Sequence, residues 1–309
     1  MKILVTGGAG FIGSHVSDAY LKAGHKVVIL DSLAGGHLAN VPKGAKFIKA
    51  DLRDRRKVEA LFKKEKFQVV NSHAAQMSVP ASVSDPRFDA DVNVMGILNL
   101  MEAGRATGLK KFIHVSSGGT VYGAPKKLPA TEKYPILPES PYGITKAVGE
   151  DYLRFYALET GLDYTVLRYS NVYGPRQLPH SEAGVVAIFI QRLLAGKICT
   201  IFGDGSIIRD FVYVGDVARA SLLALKKGSC QAYNIGTIKP VTVKQLYQVI
   251  CKTIGLPADP IYGPTRTGDL MANYLSYAKA KREMGWEPRV RLAQGIKHTV
   301  DFFKSGTRR

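Results

Sequence analysis

Cysteine is scarce in this 309-residue chain. Cys199, Cys230 and Cys251 are odd in number and far apart, so neither a disulfide framework nor a Cys-x-x-Cys metal pair can be built, and no metal site is expected. Long apolar runs are missing as well. Stretches such as Val27-Val28-Ile29-Leu30 are short and interrupted, far below the roughly 20 residues that cross a bilayer. Met1 leads straight into the strand-like Lys2-Ile3-Leu4-Val5 with no apolar core and small-residue cleavage site, which predicts a cytoplasmic protein. Acidic residues are the third shortage: 25 Asp and Glu face 43 Lys and Arg, for a net charge of +18. Such an excess attracts polyanions. It is spread out, however, over helical faces such as residues 53–66 and 279–309, and no zinc-finger, RNP or recognition-helix pattern accompanies it. Neither nucleic acid nor a membrane is therefore expected as a specific partner. With 46% apolar residues and 31 glycines, the chain can bury a sizeable core in one or two domains.

The first half alternates between two periodicities. Val- and Ile-rich runs at 2–6, 26–30, 46–49, 68–72, 111–116 and 163–168 are separated by amphipathic stretches near 11–24, 54–66, 88–108 and 142–161. Strands so far apart need crossover connections rather than hairpins, which predicts an α/β fold with a doubly wound parallel sheet. The first domain spans 1–168. From 169 to 309 the rhythm breaks into turn-rich segments and shorter elements, among them 215–227, 242–254 and 292–304. These predict a smaller substrate domain, with the chain returning to the first around 212–250.

Thr6-Gly7-Gly8-Ala9-Gly10-Phe11-Ile12-Gly13 follows the first strand and opens a helix. Gly7 turns the chain tightly, Gly10 lets backbone approach a pyrophosphate, and Gly13 allows close helix–strand packing. Asp31 ends the second strand about 20 residues on, where an acid accepts hydrogen bonds from ribose hydroxyls and repels a 2′-phosphate. The pattern predicts bound NAD. Asp51-Leu52 stands where an adenine contact is expected, and His73-Ala74-Ala75 would let a dinucleotide pass close by. Tyr142 and Lys146 are four apart on a helix, so phenol and ammonium can share one cleft, and the ammonium favours a phenolate able to take a proton.

In order along the chain stand TGGAGFIG, Asp31, Asp51-Leu52, HAAQ, SSGGTVYG, SPYGITK, LRYSNVYGPRQ, FGDGSIIRDFVYVGDV and TRTGD. This set resembles the extended short-chain dehydrogenase/reductases, a Rossmann-type family, and among them most resembles the UDP-glucose (UDP-galactose) 4-epimerases. The resemblance implies bound NAD and a UDP-hexose that is oxidised at C4, turned over as a 4-keto sugar, and reduced from the opposite face. Tyr142 would take the 4-hydroxyl proton and Lys146 would hold the nicotinamide ribose. The cofactor residues implied are Gly7, Gly10, Phe11, Ile12, Gly13, Asp31, Ser32, Asp51, Leu52, His73, Ala74, Ala75, Gln76, Asn93, Ser116, Tyr142 and Lys146. For the substrate, Arg209 and Arg266 match the diphosphate clamp, Asn171 a phosphate or sugar contact, and Asp269 the uridine ribose contact. Asn273 stands where some relatives carry a bulky Tyr, which suggests room for an N-acetyl group.

One departure stands out. The family usually carries Ser or Thr four residues before the Tyr of T-V-Y-G, and this chain has Gly118 there. Ser117 is the expected replacement, with Thr120 or a water as alternatives. The dehydratases of the superfamily carry Asp and Glu in this segment, and Gly118, Gly119 and Thr120 disfavour that chemistry. Other readings left open are a UDP-glucuronate decarboxylase, a UDP-uronate 4-epimerase, and a non-catalytic NAD-binding sensor. The helices at 88–108 and 142–161 have apolar positions on more than one side, which predicts a homodimer.

Overall fold

A computed structural model describes residues 1–178, 184–265 and 270–306. Its central sheet holds β1 (Lys2–Thr6), β2 (Lys26–Asp31), β3 (Lys46–Lys49), β4 (Val69–Ser72), β5 (Lys111–Ser117), β6 (Asp163–Tyr169) and the strand Gln231–Ile235. The order across the sheet is β3-β2-β1-β4-β5-β6 and then Gln231–Ile235, with every pair parallel. Strand order reverses between β1 and β4, and the crevice there is where such sheets bind nucleotides.

Alternation along the strands builds a core on each face. In β1, Ile3 and Val5 join one apolar cluster with Tyr20, Ile29 and Trp286, while Leu4 joins another with Phe62, Leu100 and Phe112. Helices α1 (Phe11–Lys22), α2 (Arg55–Glu65), α3 (Val79–Ser84), α4 (Pro86–Ala90), α5 (Gly96–Thr107) and α6 (Pro141–Thr160) supply the crossovers.

The single helix expected over 88–108 is interrupted. Asp85 caps α4 by accepting from the Phe88 N–H at 3.0 Å, and residues Asp91–Met95 then widen into a π turn before α5. Wide turns of this kind are common at functional sites. This one turns Asn93 inward until it is 1% exposed.

Beyond β6 the second lobe pairs Asn171–Tyr173 with Phe211–Tyr213, Ile208–Arg209 with Val241–Thr242, and Thr200–Phe202 with Ile261–Gly263. Its helices Val185–Leu194, Val243–Ile254 and Leu292–Lys304 enclose a third apolar cluster around Phe189, Tyr247 and Ile296. Between these segments the chain goes back to the first lobe. Helix Val214–Ala224 lies against α1, where Tyr20 Oη donates to the Ser221 carbonyl at 3.1 Å, and Gln231–Ile235 extends the sheet. A clasp also joins the lobes: His15 bonds the Pro175 carbonyl at 2.9 Å, and Arg176 pairs with Asp18 at 2.8 Å.

Candidate active site

The crevice is walled on one side by the glycine turn. Gly7 has φ +66°, and a Cβ there would lie 2.6 Å from the Ala74 amide nitrogen, so the turn abuts the end of β4 with nothing between. A Cβ on Gly13 would sit 2.3 Å from the Gly7 carbonyl oxygen, and one on Gly10 3.1 Å from it. These three positions admit only glycine without shifting backbone. Gly10 is the N-cap of α1 and offers no side-chain oxygen, so the first-turn amides of Phe11, Ile12 and Gly13 have no side-chain cap at the positive end of the helix. Asp31, 6% exposed, accepts the Ala9 N–H at 3.0 Å on one oxygen and the Leu33 N–H at 2.8 Å on the other. Each oxygen keeps a lone pair for a further donor. Ser32 is exposed beside it. A dinucleotide fits this geometry: open amides for a pyrophosphate, small residues where it must pass, and a buried carboxylate for ribose hydroxyls.

Farther along, Asp51 is tied to Arg53 at 2.8 Å, and this guanidinium holds its carboxyl below the ordinary range. The Leu52 carbonyl accepts from Asn99 at 2.8 Å. Burial pushes His73 down to about 3, with the Lys146 charge adding to the effect, so its ring is neutral, and its Nε2 is buried with no partner among the described residues. Gln76 and Asn93 hold each other: the Gln76 N–H donates to Asn93 Oδ1 and Asn93 Nδ2 to the Gln76 carbonyl, both at 2.9 Å. Ala74 and Ala75 lead from β4 into that pair.

The opposite wall is the start of α6. Ser140 caps it by accepting the Gly143 N–H at 3.1 Å, and Pro141 occupies the first turn, which is why the helix begins here. The Tyr142 N–H reaches Ser82 Oγ at 3.2 Å. One turn on, Lys146 Nζ lies 5.7 Å from the centre of the Tyr142 ring and donates to the Val115 carbonyl at 3.2 Å. Lys146 is 3% exposed, and burial pushes its ammonium down to about 8, while Asp89 acts the other way.

The segment after β5 shows why serine is missing at 118. A Cβ on Gly118 would fall 2.4 Å from Leu275 Cδ1, so a fully buried leucine occupies that space. Two hydroxyls flank the gap. Thr120 Oγ1 is buried without a hydrogen-bond partner among the described residues, which is costly unless a ligand or water meets it. Ser117 is half-buried. The Ser116 hydroxyl donates to Glu150 at 2.6 Å.

On the second lobe Asn171 and Arg209 are neighbours, since the Asn171 N–H donates to the Asp210 carbonyl at 2.9 Å. Arg209 Nη1 donates to the Leu270 carbonyl at 2.7 Å. Arg266 and Asp269 lie outside the described residues. Asn273 is buried, and its Nδ2 donates to the Gly119 carbonyl at 3.1 Å and the Gly118 carbonyl at 3.4 Å. The sequence reading missed Leu275, Asp210, whose carboxylate holds the Leu275 and Thr237 amides at 3.2 and 2.9 Å, and Asp89 beneath α6. Among the described residues no cluster of His, Cys, Asp or Glu could hold a metal ion.

A Rossmann sheet with a glycine turn, an acid ending β2, and a Tyr–Lys pair on the helix after β5 defines a dinucleotide-dependent enzyme of the short-chain dehydrogenase/reductase class. The family model for the NAD dependent epimerase/dehydratase family matches residues 3–236, and the chain belongs to that family. Among solved structures it is similar to a UDP-glucose 4-epimerase of Thermotoga maritima with UDP-glucose, at 48% identity, with 99% of each chain covered and a TM-score of 0.97. A UDP-glucose 4-epimerase of Thermus thermophilus in complex with NAD is 45% identical over 99% of this chain and 100% of that one, TM-score 0.94. A UDP-N-acetylglucosamine 4-epimerase of Methanobrevibacter ruminantium in complex with UDP-N-acetylmuramic acid is 34% identical over 99% of each chain, TM-score 0.93.

Proposed function

We propose that the protein interconverts UDP-hexoses at C4, with NAD as resident cofactor. The observation that carries the reading is Lys146 lying over the Tyr142 ring on the wall facing the glycine turn. Bound NAD supplies a reversible hydride acceptor at C4 of the sugar. Tyr142 Oη would take the proton of the 4-hydroxyl as hydride leaves C4 and would return it to the oxygen of the 4-keto sugar when hydride comes back to the opposite face, and the nearby ammonium favours the phenolate that this requires. Thr120 Oγ1 or Ser117 Oγ steadies the reacting oxygen in place of the missing serine. The α1 amides of Phe11, Ile12 and Gly13 hold the pyrophosphate, and Asp31 the adenosine ribose. Arg209 and Asn171, with Arg266 and Asp269, hold the UDP portion, so the first 168 residues serve the cofactor and most of the remainder the substrate. Gly118, Gly119 and Thr120 bring no carboxylate for elimination, which favours epimerisation over dehydration.

Three finer readings belong here. Asn273 in place of a bulkier ring supports acceptance of N-acetylhexosamines. A homodimer is supported by an exposed apolar row on α6, where Ile144, Phe155 and Leu158 are 49%, 53% and 81% exposed and Tyr152 lies between them. Cytoplasmic residence is in keeping with three free cysteines.

Product identification by NMR after parallel incubation with UDP-galactose, UDP-N-acetylglucosamine and UDP-glucuronate tests the activity. Conversion of UDP-galactose to UDP-glucose is expected, and conversion of UDP-glucuronate to a UDP-pentose with release of CO₂ would refute it. Inertness toward UDP-N-acetylglucosamine would remove the N-acetyl reading. Light scattering should give twice the monomer mass, and Phe155→Glu should halve it; a wild type at monomer mass removes the dimer.

A further inference from the structure

A chain of buried polar groups runs from α6 to the loop that carries Thr120, and the mechanism above gives it no part. It starts one turn beyond Lys146. Glu150 shares that face of α6, and its carboxylate takes Arg168 of β6 in a paired grip, with Nε at 3.0 Å from one oxygen and Nη2 at 2.5 Å from the other. Ser116, at the end of β5, adds its hydroxyl to the first of these oxygens at 2.6 Å. The pair is enclosed: the Arg168 side chain is 7% exposed and that of Glu150 12%. The remaining arm of the guanidinium, Nη1, donates to Tyr122 Oη at 2.8 Å, and the group lies 5.2 Å from the centre of the Tyr122 ring. Tyr122 Oη donates in turn to Asn234 Oδ1 at 2.7 Å, and Asn234 Nδ2 to the Ala130 carbonyl at 3.1 Å. Tyr122 and Asn234 are both buried.

Each proton in this chain has one place. An arginine can only donate, so the phenol accepts from it and spends its single O–H on Asn234. A main-chain carbonyl can only accept, so the amide turns its NH₂ to Ala130 and its oxygen to the phenol. A buried network satisfied at every member is rigid, and removing one member leaves its neighbours unpaired.

We infer that Tyr122 and Arg168 are positioning residues for the reaction: through the Tyr122 hydroxyl they hold residues 117–122, with the hydroxyls of Ser117 and Thr120, in a fixed place against the helix that carries Tyr142 and Lys146.

The other bonds of this segment do different work. The Thr120 and Val121 N–H groups donate to the Ser117 carbonyl at 3.1 and 3.0 Å, which shapes the turn from within. The Gly118 N–H donates to the Tyr169 carbonyl at 2.9 Å, and Asn273 holds the Gly118 and Gly119 carbonyls, which ties the first half to β6 and to the second lobe. Tyr122 stands two residues beyond Thr120, and its phenol joins the second half to α6 through Arg168 and Glu150. A misplacement of about 1 Å can cost about 10²-fold in rate, so slack in this half is felt where a hydroxyl must meet the sugar oxygen.

This inference rests on the proposed function for the task it gives the segment, and its test reads the segment directly. The full chain, loaded with NAD, is labelled with ¹³C in its threonine methyl groups, and Thr120→Ser assigns the Thr120 resonance. Tyr122→Phe keeps the ring and the Arg168–Glu150 pair and removes only the hydroxyl. Its Thr120 methyl is expected to gain motion, seen as a lower order parameter or as extra resonances, while the Thr145 methyl on α6 keeps its wild-type values. In the same variant kcat for UDP-galactose should fall by about 10–10²-fold with KM nearly unchanged. An undisturbed Thr120 methyl overturns the inference, and so does wild-type kcat in a variant that merely melts earlier, since the bonds then serve stability alone. Should Tyr122→Phe fail to fold, Arg168→Lys is judged by the same two readings, because it keeps a cation beside Glu150 without the planar fork that also reaches Tyr122. If the Thr120 methyl loosens as expected but the wild type converts no UDP-sugar, the proposed function fails while the hold of Tyr122 on the segment stands.

Discussion

Replacing Gly118 by serine restores the hydroxyl usual at this position in the family, and the packing around it says that the exchange destabilises. A Cβ at 118 would lie 2.4 Å from Leu275 Cδ1 and 3.2 Å from Cδ2, and the leucine has little freedom to withdraw. It is fully buried with Val121, Tyr122 and Ala130, its N–H is held by Asp210 at 3.2 Å, and its main chain bridges to Ala130. Overpacking of this kind costs about 1–3 kcal/mol. Leu275→Ala alone opens a cavity and costs about 2–5 kcal/mol. In the double variant the serine enters the space the leucine leaves, so its combined cost should fall short of the sum by about 1 kcal/mol or more. Urea unfolding of the four proteins, with comparable m-values as the check on two-state behaviour, gives the cycle. A Gly118→Ser protein as stable as the wild type, or strictly additive costs, would refute the argument that Leu275 excludes a side chain here.

Tyr142→Phe should lower kcat by about 10²–10⁴ while the purified protein still carries NAD; undiminished turnover contradicts the assigned proton transfer. Gly13→Ala forces a Cβ to 2.3 Å from the Gly7 carbonyl and should yield protein with little nucleotide but unchanged helix content by circular dichroism. On the alkaline side, the wild-type kcat should decline as Lys146 deprotonates near pH 8; a flat profile to about pH 10, the ordinary lysine range, would count against it. On the acid side, burial holds His73 and His114 at about 3, from an ordinary 6.5. The unfolded chain therefore binds more protons between these values, and stability is lost as pH falls through that window by about 1.4 kcal/mol per pH unit for each ring. His114→Leu should flatten that slope by one ring's share, and an unchanged slope would show that the ring is charged in the folded state.

Much of the cofactor half is legible in the sequence because its signals are local. Strands β1 to β6 fall within a residue or two of the expected runs, since β-branched stretches bounded by glycine and helical periodicity leave few alternatives, and Gly7, Gly10 and Gly13 announce their own backbone demands. The break at Asp91–Met95 is not legible, because it depends on Asn93 meeting Gln76, 17 residues away. Gly118 can be read only as a loss. Its partner Leu275 sits in a different lobe, and no spacing rule joins 118 to 275. Asp89 looks like one more acid in the first turn of a helix until the fold closes Gln76 and Thr145 over it. Asn273 is legible as a side chain smaller than a ring, but not the bonds of its amide to the Gly118 and Gly119 carbonyls, which are more than 150 residues away in sequence.

The return of the chain at Gln231–Ile235 has a consequence for how the molecule comes apart. Because this strand closes one edge of the sheet against β6 after the polypeptide has already entered the other lobe, a fragment cut after residue 168 would expose β6 as a raw edge ready to pair with its neighbours. Neither half should survive excision as a soluble piece, and heat should melt both together.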